Sequence, residues 1–220
     1  MVDYLQTRIN MVDGQIHPNG VVDQRILDSF QTVPRELFVP ERLRGVSYTD
    51  DDLDIGQGRY LLEPTTHAKM IQAALPRDTD VVLDIGVGAG YSCAILSPMV
   101  TTIIALEHNK RQMDKATKLW DKLGCCNVAL MEGKLEDGVP DQAPYSLILI
   151  NGAVSSVPDS IIDQLDINGR LVTVVRENSQ SCGRAVMFMK SKDGSVSSKV
   201  LFDANVPFLS SFKPKPAFEF

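Results

Sequence analysis

Residues 81–92 read VVLDIGVGAGYS and place three glycines, Gly86, Gly88 and Gly90, directly after a short apolar run. An apolar run of this length that ends in glycines is typical of a buried parallel strand followed by a tight turn and a helix. At the carboxyl end of such a strand, glycines let the backbone approach a ligand closely, and open α/β sheets bind their ligands at that edge. The segment therefore predicts an α/β fold with a ligand crevice beside the three glycines.

The chain continues with the same alternation of strand and helix. Further apolar, β-branched runs are typical of strands at 102–106, 127–131, 145–150, 170–175, 185–190 and 198–202. Helical spacing falls at 91–99, 109–123 and 156–165, between the earlier strands. Alternation of this kind favours right-handed crossovers and a doubly wound, mostly parallel sheet with helices on both faces.

Two acidic residues indicate the chemistry of the ligand. The spacing of the glycines is G-x-G-x-G, whereas a pyrophosphate site uses G-x-G-x-x-G, and Asp84 just before them suits an ammonium group better than a phosphate. The second strand ends in Glu107, where a carboxylate can accept hydrogen bonds from ribose hydroxyls. An adenosine that carries an amino acid, S-adenosylmethionine, fits both acids. A glycine turn in an α/β protein that binds another ligand is the alternative.

Composition limits the remaining possibilities. The 220 residues carry a net charge of −6, with 44% hydrophobic and 23% charged residues, and no basic stripe favours a nucleic-acid partner. The sequence has neither a signal-peptide pattern nor an apolar run long enough for a membrane span, so the cytoplasm is the expected location. Its four cysteines form no CxxC pair, and no cluster has the spacing of metal ligands, so we expect no metal.

The order of acid, glycine loop and second acid resembles class I methyltransferases. That resemblance implies a Rossmann-like, seven-stranded sheet whose last strand runs antiparallel. Residues 80–220 are then expected to form the cofactor-binding domain. Residues 1–79, with helical patterns at 5–11 and 22–31, are expected to form a helical cap over the ligand edge within one structural unit.

Three longer blocks are similar to protein-L-isoaspartate O-methyltransferases, and the likeness runs from about residue 22 to 175. They are DQRILDSFQTVPRELFVP at 23–40, YTDDDLDIGQG at 48–58 and INGAVSSVPDSIIDQLDINGRLVTVV at 150–175. Enzymes of this family methylate the misplaced carboxylate that forms when Asn or Asp isomerises, which begins its repair. The resemblance implies a protein or peptide carboxylate as the substrate, with a small-molecule acceptor as an alternative. We expect a monomer that binds no membrane.

The segment IGQGRYLLEP at 55–64 departs from the family pattern G-x-G-Q-T-I-S-x-P. Alignment on the glycines and Pro64 puts Arg59 at the glutamine, Tyr60 at the threonine and Leu62 at the serine whose hydroxyl contacts the reacting carboxylate. Arg59 and Tyr60 are the candidates to replace that hydroxyl. Arg59 is equally well explained as a surface residue paired with an acid of residues 50–52 or with Glu63.

Other positions are assigned through the same resemblance or through their neighbours. The family has Gly-Asp-Gly where this chain has Gly133, Lys134 and Leu135, so Lys134 and Leu135 would lie near the adenine. His67 matches a histidine that some members place against the cofactor, although a buried position at a helix start is an equal alternative. His108 follows Glu107 and either flanks the adenine or lies in an exposed turn.

The sequence thus predicts a carboxyl methyltransferase dependent on S-adenosylmethionine, with altered or reduced isoaspartyl activity. The alternative is a pseudoenzyme or regulatory protein of the same fold that binds the cofactor without methyl transfer. Six aromatic residues are expected in the core or packed against it: Tyr4, Phe30, Phe38, Phe212, Phe218 and Phe220.

Overall fold

A computed structural model describes residues 3–178 and 181–214. The helices are α1 Tyr4–Met11, α2 Gln24–Thr32, α3 Pro64–Ala74, α4 Tyr91–Leu96, α5 Lys110–Leu123 and α6 Asp159–Ile162. The strands are β1 Leu53–Gly56, β2 Arg59–Leu61, β3 Val81–Ile85, β4 Thr102–Glu107, β5 Val128–Glu132, β6 Tyr145–Val154, β7 Leu165–Val175, β8 Arg184–Lys190 and β9 Val196–Asp203. Short 3₁₀ turns and one π-helical turn, Val12–Ile16, connect several of them.

Seven strands form one sheet in the order β5-β4-β3-β6-β7-β8-β9, and β1 pairs with β2 in a separate hairpin. Strands β3 to β7 pair in parallel, with β3 between β4 and β6. The order reverses at β3, so the carboxyl ends of β3, β4 and β6 border a crevice at the point where ligands bind in such sheets. The predicted seven-stranded, mostly parallel α/β sheet is confirmed.

The direction of the last strands differs from the prediction. β8 runs antiparallel to both β7 and β9, so the antiparallel strand is the sixth of the sheet, and the last strand lies parallel to the others. The expectation that the last strand runs antiparallel is wrong. The short turn at residues 191–195 joins β8 to β9, and so short a connection can link only antiparallel neighbours.

Side chains alternate between the two faces of the sheet and build two hydrophobic clusters. Val82 of β3 belongs to the cluster beneath α1 to α5, whereas Leu83 and Ile85 belong to the cluster on the other face. The second face is covered by 3₁₀ turns, the four-residue helix α6, and Leu209 and Phe212. The predicted helix at 156–165 is therefore much shorter, while β6 and β7 extend further than expected.

The residues before position 79 share the main core with the sheet. Phe30 and Phe38 are fully buried in the same cluster as Val82, and Phe212 is 4% exposed in the cluster on the second face. Tyr4 packs partly buried against the main cluster. Phe218 and Phe220 lie outside the described residues.

Two observations concern the predicted absences. Within residues 3–178 and 181–214, no helix combines the length and apolarity that crossing a membrane requires. Over the same residues, no three His, Cys, Asp or Glu side chains come together in a way that could hold a metal ion.

Candidate functional site

The glycine loop turns sharply between β3 and α4. Gly88 and Gly90 have φ angles of +54° and +88°, which side chains other than glycine rarely adopt. A Cβ atom on Gly90 would lie 2.6 Å from the ring of Trp120, whose Nε1 donates to the carbonyl oxygen of Gly90 at 2.9 Å. The indole ring of Trp120, in α5, thus packs against the glycine loop at Gly90.

Asp84 lies at the end of β3 and is fully buried. Its carboxylate accepts hydrogen bonds from Ser92 Oγ at 2.6 Å, Cys93 Sγ at 3.0 Å and Asn151 Nδ2 at 2.6 Å. Burial raises the pKa of Asp84 to about 6, although these three hydrogen bonds oppose the shift. The carboxylate is therefore positioned by neighbours on α4 and β6 at the base of the glycine loop.

Glu107 at the end of β4 is fully buried, and its two oxygens accept five hydrogen bonds. Three come from the backbone N–H groups of Gly88, His108 and Asn109 at 2.9–3.0 Å. The other two come from Arg59, whose Nε and Nη2 each donate at 2.8 Å. Burial raises the pKa of Glu107, but the hydrogen bonds and charge of Arg59 outweigh it and leave the pKa below its ordinary value.

Arg59 is therefore not a surface residue. Its side chain is 1% exposed and crosses from the β1–β2 hairpin into the crevice. The acids expected as its alternative partners have other hydrogen bonds: Asp50 accepts from Thr65, and Asp52 accepts from the backbone N–H of Glu63. The guanidinium of Arg59 is hydrogen-bonded to Glu107, the carboxylate that the sequence predicts to bind the ribose.

The ligand side of the glycine loop is covered by side chains of this chain. A Cβ atom on Gly88 would lie 3.0 Å from Ile55 Cδ1 and 3.6 Å from Arg59 Cβ, and one on Gly86 would lie 3.0 Å from Leu209 Cδ1. Leu209 belongs to residues 206–212. This segment lies beside the end of β6, where the backbone of Ala153 hydrogen-bonds with the backbone of Pro207 and Leu209.

The space that remains in the crevice is small. A cavity of about 20 Å³ is lined by Ile55, Tyr60, Leu61, Leu62, His67, Gly86, Val87, Ala89, Tyr91, Ser92 and Asn151. This volume suffices for a single water, which needs about 10–15 Å³, whereas ligand pockets usually measure about 300–1,000 Å³. The crevice is closed in this conformation.

Leu62 and Tyr60 lie beside this cavity. Leu62 is 2% exposed, and its backbone carbonyl accepts a hydrogen bond from Arg35 Nη2 at 2.7 Å. Arg35 is itself fully buried and also donates to the carbonyl of Ser47 at 2.6 Å. Tyr60 is half-buried. The segment that holds the family's serine position is thus fixed by a buried arginine, with an apolar side chain at position 62.

His67 lies in the first turn of α3 and lines the same cavity. Its ring meets Phe30 edge-on at 5.9 Å between centroids, and neither ring nitrogen has a hydrogen-bond partner among the described residues. Burial, with a smaller contribution from the charge of Arg35, lowers the pKa of His67 to about 3. His67 is therefore a neutral imidazole near pH 7.

The remaining predicted positions border the crevice differently. His108 is exposed, and its Nδ1 lies 3.2 Å from Arg59 Nη2. Lys134 is exposed, whereas Leu135 is fully buried at the start of a 3₁₀ turn, with its Cδ1 3.6 Å from a Cβ position on Gly86. The sequence does not predict the roles of Arg35, Trp120, Asn151 and Leu209 at the site. The PRELFVP block drew attention to Arg35, but not to its contact with Leu62.

A larger groove, of about 740 Å³, lies elsewhere on the molecule. Its lining includes Arg25 and Ser29 of α2, Pro98, Cys125 and Asn127. The segments 97–99 and 124–127 precede β4 and β5, so the groove borders the amino ends of these strands. Open α/β sheets bind their ligands at the carboxyl ends. The crevice at Asp84, Gly88 and Glu107 is therefore the candidate site, despite its smaller volume.

Comparison with known proteins identifies the family of the chain. The family model of protein-L-isoaspartate(D-aspartate) O-methyltransferase matches residues 7–211. The chain belongs to this family. It is 35% identical to a protein-L-isoaspartate O-methyltransferase of Desulfosudis oleivorans over 88% of this chain and 86% of the relative. It is also 35% identical to protein-L-isoaspartate O-methyltransferase 1 of Rhodopseudomonas palustris, over 95% of this chain and 87% of that protein.

Two solved structures share the fold. A protein-L-isoaspartate O-methyltransferase superposes with a TM-score of 0.77 at 23% identity, over 95% of this chain and 67% of that one. A Plasmodium falciparum protein assigned to the same kind of methyltransferase, in complex with S-adenosyl-L-homocysteine, gives 0.75 at 17% identity, over 93% and 98%. The predictions of a methyltransferase of this family and of S-adenosylmethionine as its cofactor are confirmed.

The residue types of the crevice fit this cofactor, although the space does not in this conformation. Asp84, the glycine loop and Glu107 have the order and burial that an adenosine ligand with an amino group requires. Arg59, Ile55 and Leu209 occupy the volume in front of them. This volume is where the sequence predicts the cofactor to bind.

Proposed function

We propose that this protein transfers a methyl group to a carboxylate of a protein or peptide, with reduced activity toward isoaspartyl residues. The observation that carries the proposal is the buried apolar side chain of Leu62 beside the glycine loop, at the position of the family's serine. Leu62 offers no hydrogen-bond donor to a carboxylate. An apolar wall at this position also raises the cost of removing water from the substrate's charge.

The reaction requires little acid–base chemistry from the protein. A carboxylate acceptor is ionised near pH 7, so no general base is required. S-adenosylmethionine, when bound, supplies the activated methyl group on its sulfonium. The residues of this chain align the acceptor and exclude water, and the closed, apolar surroundings of Leu62 and Ile55 favour that exclusion.

The loss of one hydroxyl reduces the rate without abolishing the chemistry. A hydrogen bond to a charged group contributes about 1.5–3 kcal/mol, which corresponds to about a 10- to 100-fold change in rate if it acts only in the transition state. Of the two candidate replacements, Arg59 is held by Glu107. Tyr60 lines the cavity and is the remaining candidate.

The experiment compares the natural protein with the Leu62→Ser variant. Each is incubated with an isoaspartyl peptide and methyl-labelled cofactor, and the base-labile methyl ester is counted. We expect little ester from the natural protein and partial recovery in the variant, because Tyr60 and Arg59 still differ from the family pattern. Robust methylation by the natural protein would contradict the proposal and leave Tyr60, or an Arg59 released from Glu107, as the carboxylate ligand.

A regulatory role without methyl transfer is the second candidate. The ion pair of Arg59 with Glu107 and the closed crevice favour it, because both reduce the access of a cofactor. Silence of both forms in the ester assay, with cofactor binding intact, would support this role or a different acceptor, including a small molecule.

A further inference from the structure

We infer that Arg59 is an internal competitor for the cofactor: it holds Glu107 in the closed crevice, and S-adenosylmethionine binds only to the population from which the guanidinium has withdrawn. The inference deepens the proposed function and rests on its cofactor, because the ribose hydroxyls are the groups that would displace Arg59. Arg59 acts in this scheme as a residue that sets cofactor affinity.

The hydrogen bonds of Glu107 leave no room for a further donor. A carboxylate offers about four lone-pair sites, and five N–H groups already point at this one. Three of the five are backbone donors that belong to the crevice itself. The two from Arg59 are the ones that a ligand can replace, since they come from a side chain 48 residues away in the sequence.

The competition involves space as well as hydrogen bonds. The Cβ of Arg59 lies 3.6 Å from a Cβ position on Gly88, so its side chain crosses the face of the glycine loop. Ile55, on the other strand of the same hairpin, comes within 3.0 Å of that position. A ligand that uses Gly88 and Glu107 together must therefore displace the hairpin residues.

The β1–β2 hairpin is built so that it can move. It contains two short strands, and its register shifts between Asp54 and Gly56. The backbone pairing of such a hairpin alone is at most marginally stable, so its position depends on the packing of Leu53, Ile55 and Leu61 in the main core and on the hydrogen bond from Gln112 Nε2 to the carbonyl of Ile55. Its tip, Gln57 and Gly58, is exposed, so the guanidinium has a short path to solvent. A population of about 0.1–10% for such an open state would weaken apparent affinity by about 10- to 1,000-fold.

Affinity measurements on three arginine variants test the inference. Calorimetric titrations with S-adenosylmethionine and S-adenosylhomocysteine are made on the natural protein, Arg59→Gln, Arg59→Lys and the control Arg25→Gln. We expect binding to be at least about tenfold tighter in Arg59→Gln, which lacks the charge that holds Glu107. Arg59→Lys should be intermediate, because an ammonium cannot make the bidentate pair.

Arg25→Gln is the matched control, because Arg25 pairs with Asp23 at 2.6 Å on the surface of the molecule. The affinity of Arg25→Gln for both ligands should equal that of the natural protein. Circular dichroism establishes that each variant is folded, and Arg59→Lys retains the test if the glutamine variant does not fold.

Trp120 supplies a second readout that does not depend on activity. It is the only tryptophan of the chain, and its ring contacts the back of the glycine loop. In stopped-flow experiments, the observed rate of the fluorescence change should saturate with ligand in the natural protein, because opening limits binding. In Arg59→Gln, the observed rate should instead rise linearly with ligand concentration.

Each outcome decides between the two proposals. Equal or weaker affinity in Arg59→Gln, with binding intact in the natural protein, would overturn the inference and leave the proposed function standing. No binding by any form at millimolar ligand would overturn both.

Discussion

Arg59 of the β1–β2 hairpin and Glu107 at the end of β4 form a buried bidentate ion pair, with both N···O distances at 2.8 Å. One partner comes from the segment that departs most from the family pattern, and the other is the acid expected to bind the ribose. The pair thus joins the β1–β2 hairpin to the carboxyl end of β4. Breaking a buried pair from one side is most costly when the remaining charge has no partner, whereas Glu107 keeps three backbone N–H donors when Arg59 is replaced.

A second buried ion pair, between Asp80 and Arg170, should be a major determinant of stability. Arg170 donates to both oxygens of Asp80 and to the carbonyls of Ala74 and Leu75, which joins the end of α3 to the sheet. Asp80→Asn leaves the arginine unpaired in the interior. We expect a loss of about 3–5 kcal/mol in the free energy of unfolding, measured by urea denaturation.

Asp23→Asn is the matched control for that substitution. The Asp23–Arg25 pair has a similar distance of 2.6 Å but is exposed, with side-chain exposures of 27% and 52%. Asparagine also retains the cap of α2, so the loss should stay within about 1 kcal/mol. Similar losses in both variants would contradict the importance of burial.

The stability contributed by the Asp80–Arg170 pair should persist to low pH. Burial raises the pKa of Asp80, but hydrogen bonds led by that of Arg170 outweigh it and leave the pKa below 3.8. The contribution of the Asp80 carboxylate to stability is therefore lost only as pH falls below about 3.8.

Asp84→Asn should stabilise the protein near neutral pH. Burial raises the pKa of Asp84 from 3.8 to about 6, so the folded state binds a proton that the unfolded state releases between these values. Its ionisation therefore costs stability as pH rises from about 4 to 6, by about 3 kcal/mol in total. The variant should lack this slope in unfolding experiments from pH 4 to 8.

The same variant should bind the cofactor more weakly, if Asp84 receives its ammonium group as the sequence predicts. A gain in stability together with a loss of affinity would indicate a carboxylate retained for binding. An unchanged pH dependence would contradict the buried, protonatable state of Asp84.

The free energy of unfolding of the His67→Phe variant should fall less at acidic pH than that of the natural protein. Burial lowers the pKa of His67 from 6.5 to about 3, so the unfolded state binds more protons between these values. The contribution of the neutral histidine is complete above pH 6.5 and is lost as pH falls toward 3, with a cost of about 2 kcal/mol at pH 5. Phenylalanine keeps the aromatic contact with Phe30 and does not titrate. Denaturation of both proteins at pH 5 and 7.5 measures the difference, and equal losses would refute it.

Local patterns in the sequence were sufficient to predict the sheet. The apolar runs before Gly86 and Glu107 end within one residue of β3 and β4, because buried parallel strands are apolar on both faces. The direction of β8 and β9 does not follow the family resemblance, and the short turn between them indicates only a hairpin. The apolar pattern does not predict the whole of α3, because Pro64 and two threonines precede its apolar face. A helix start is nevertheless one of the two interpretations of His67.

The state of the crevice could not be predicted in the same way. The sequence identified Glu107, Arg59 and the glycines separately, and each lies at the edge of the same crevice. The choice of Arg59 between a nearby surface acid and Glu107 depends on the tertiary path of the hairpin, which brings residues 48 positions apart into contact. The coverage of Gly86 by Leu209 likewise depends on the path of residues 206–212.

The final prediction combines the two departures of the loop in one protein. Arg59→Gln frees Glu107 for the ribose, and Leu62→Ser restores a hydroxyl toward the reacting carboxylate. Because Arg59 begins β2 and Leu62 follows the end of this three-residue strand, the two residues are close enough for their effects not to be additive. We expect the double variant to form isoaspartyl methyl ester faster than the product of the two single gains predicts, by about threefold or more, which corresponds to an interaction energy of about 0.7 kcal/mol.

The measurement is kcat/KM for the isoaspartyl peptide in all four forms, at saturating and at subsaturating cofactor. The gain from Arg59→Gln should vanish when the cofactor saturates the natural protein, whereas the gain from Leu62→Ser should persist. This difference assigns Arg59 to cofactor access and position 62 to the acceptor. Gains that multiply independently, at every cofactor concentration, would show that the hairpin does not couple the two sites.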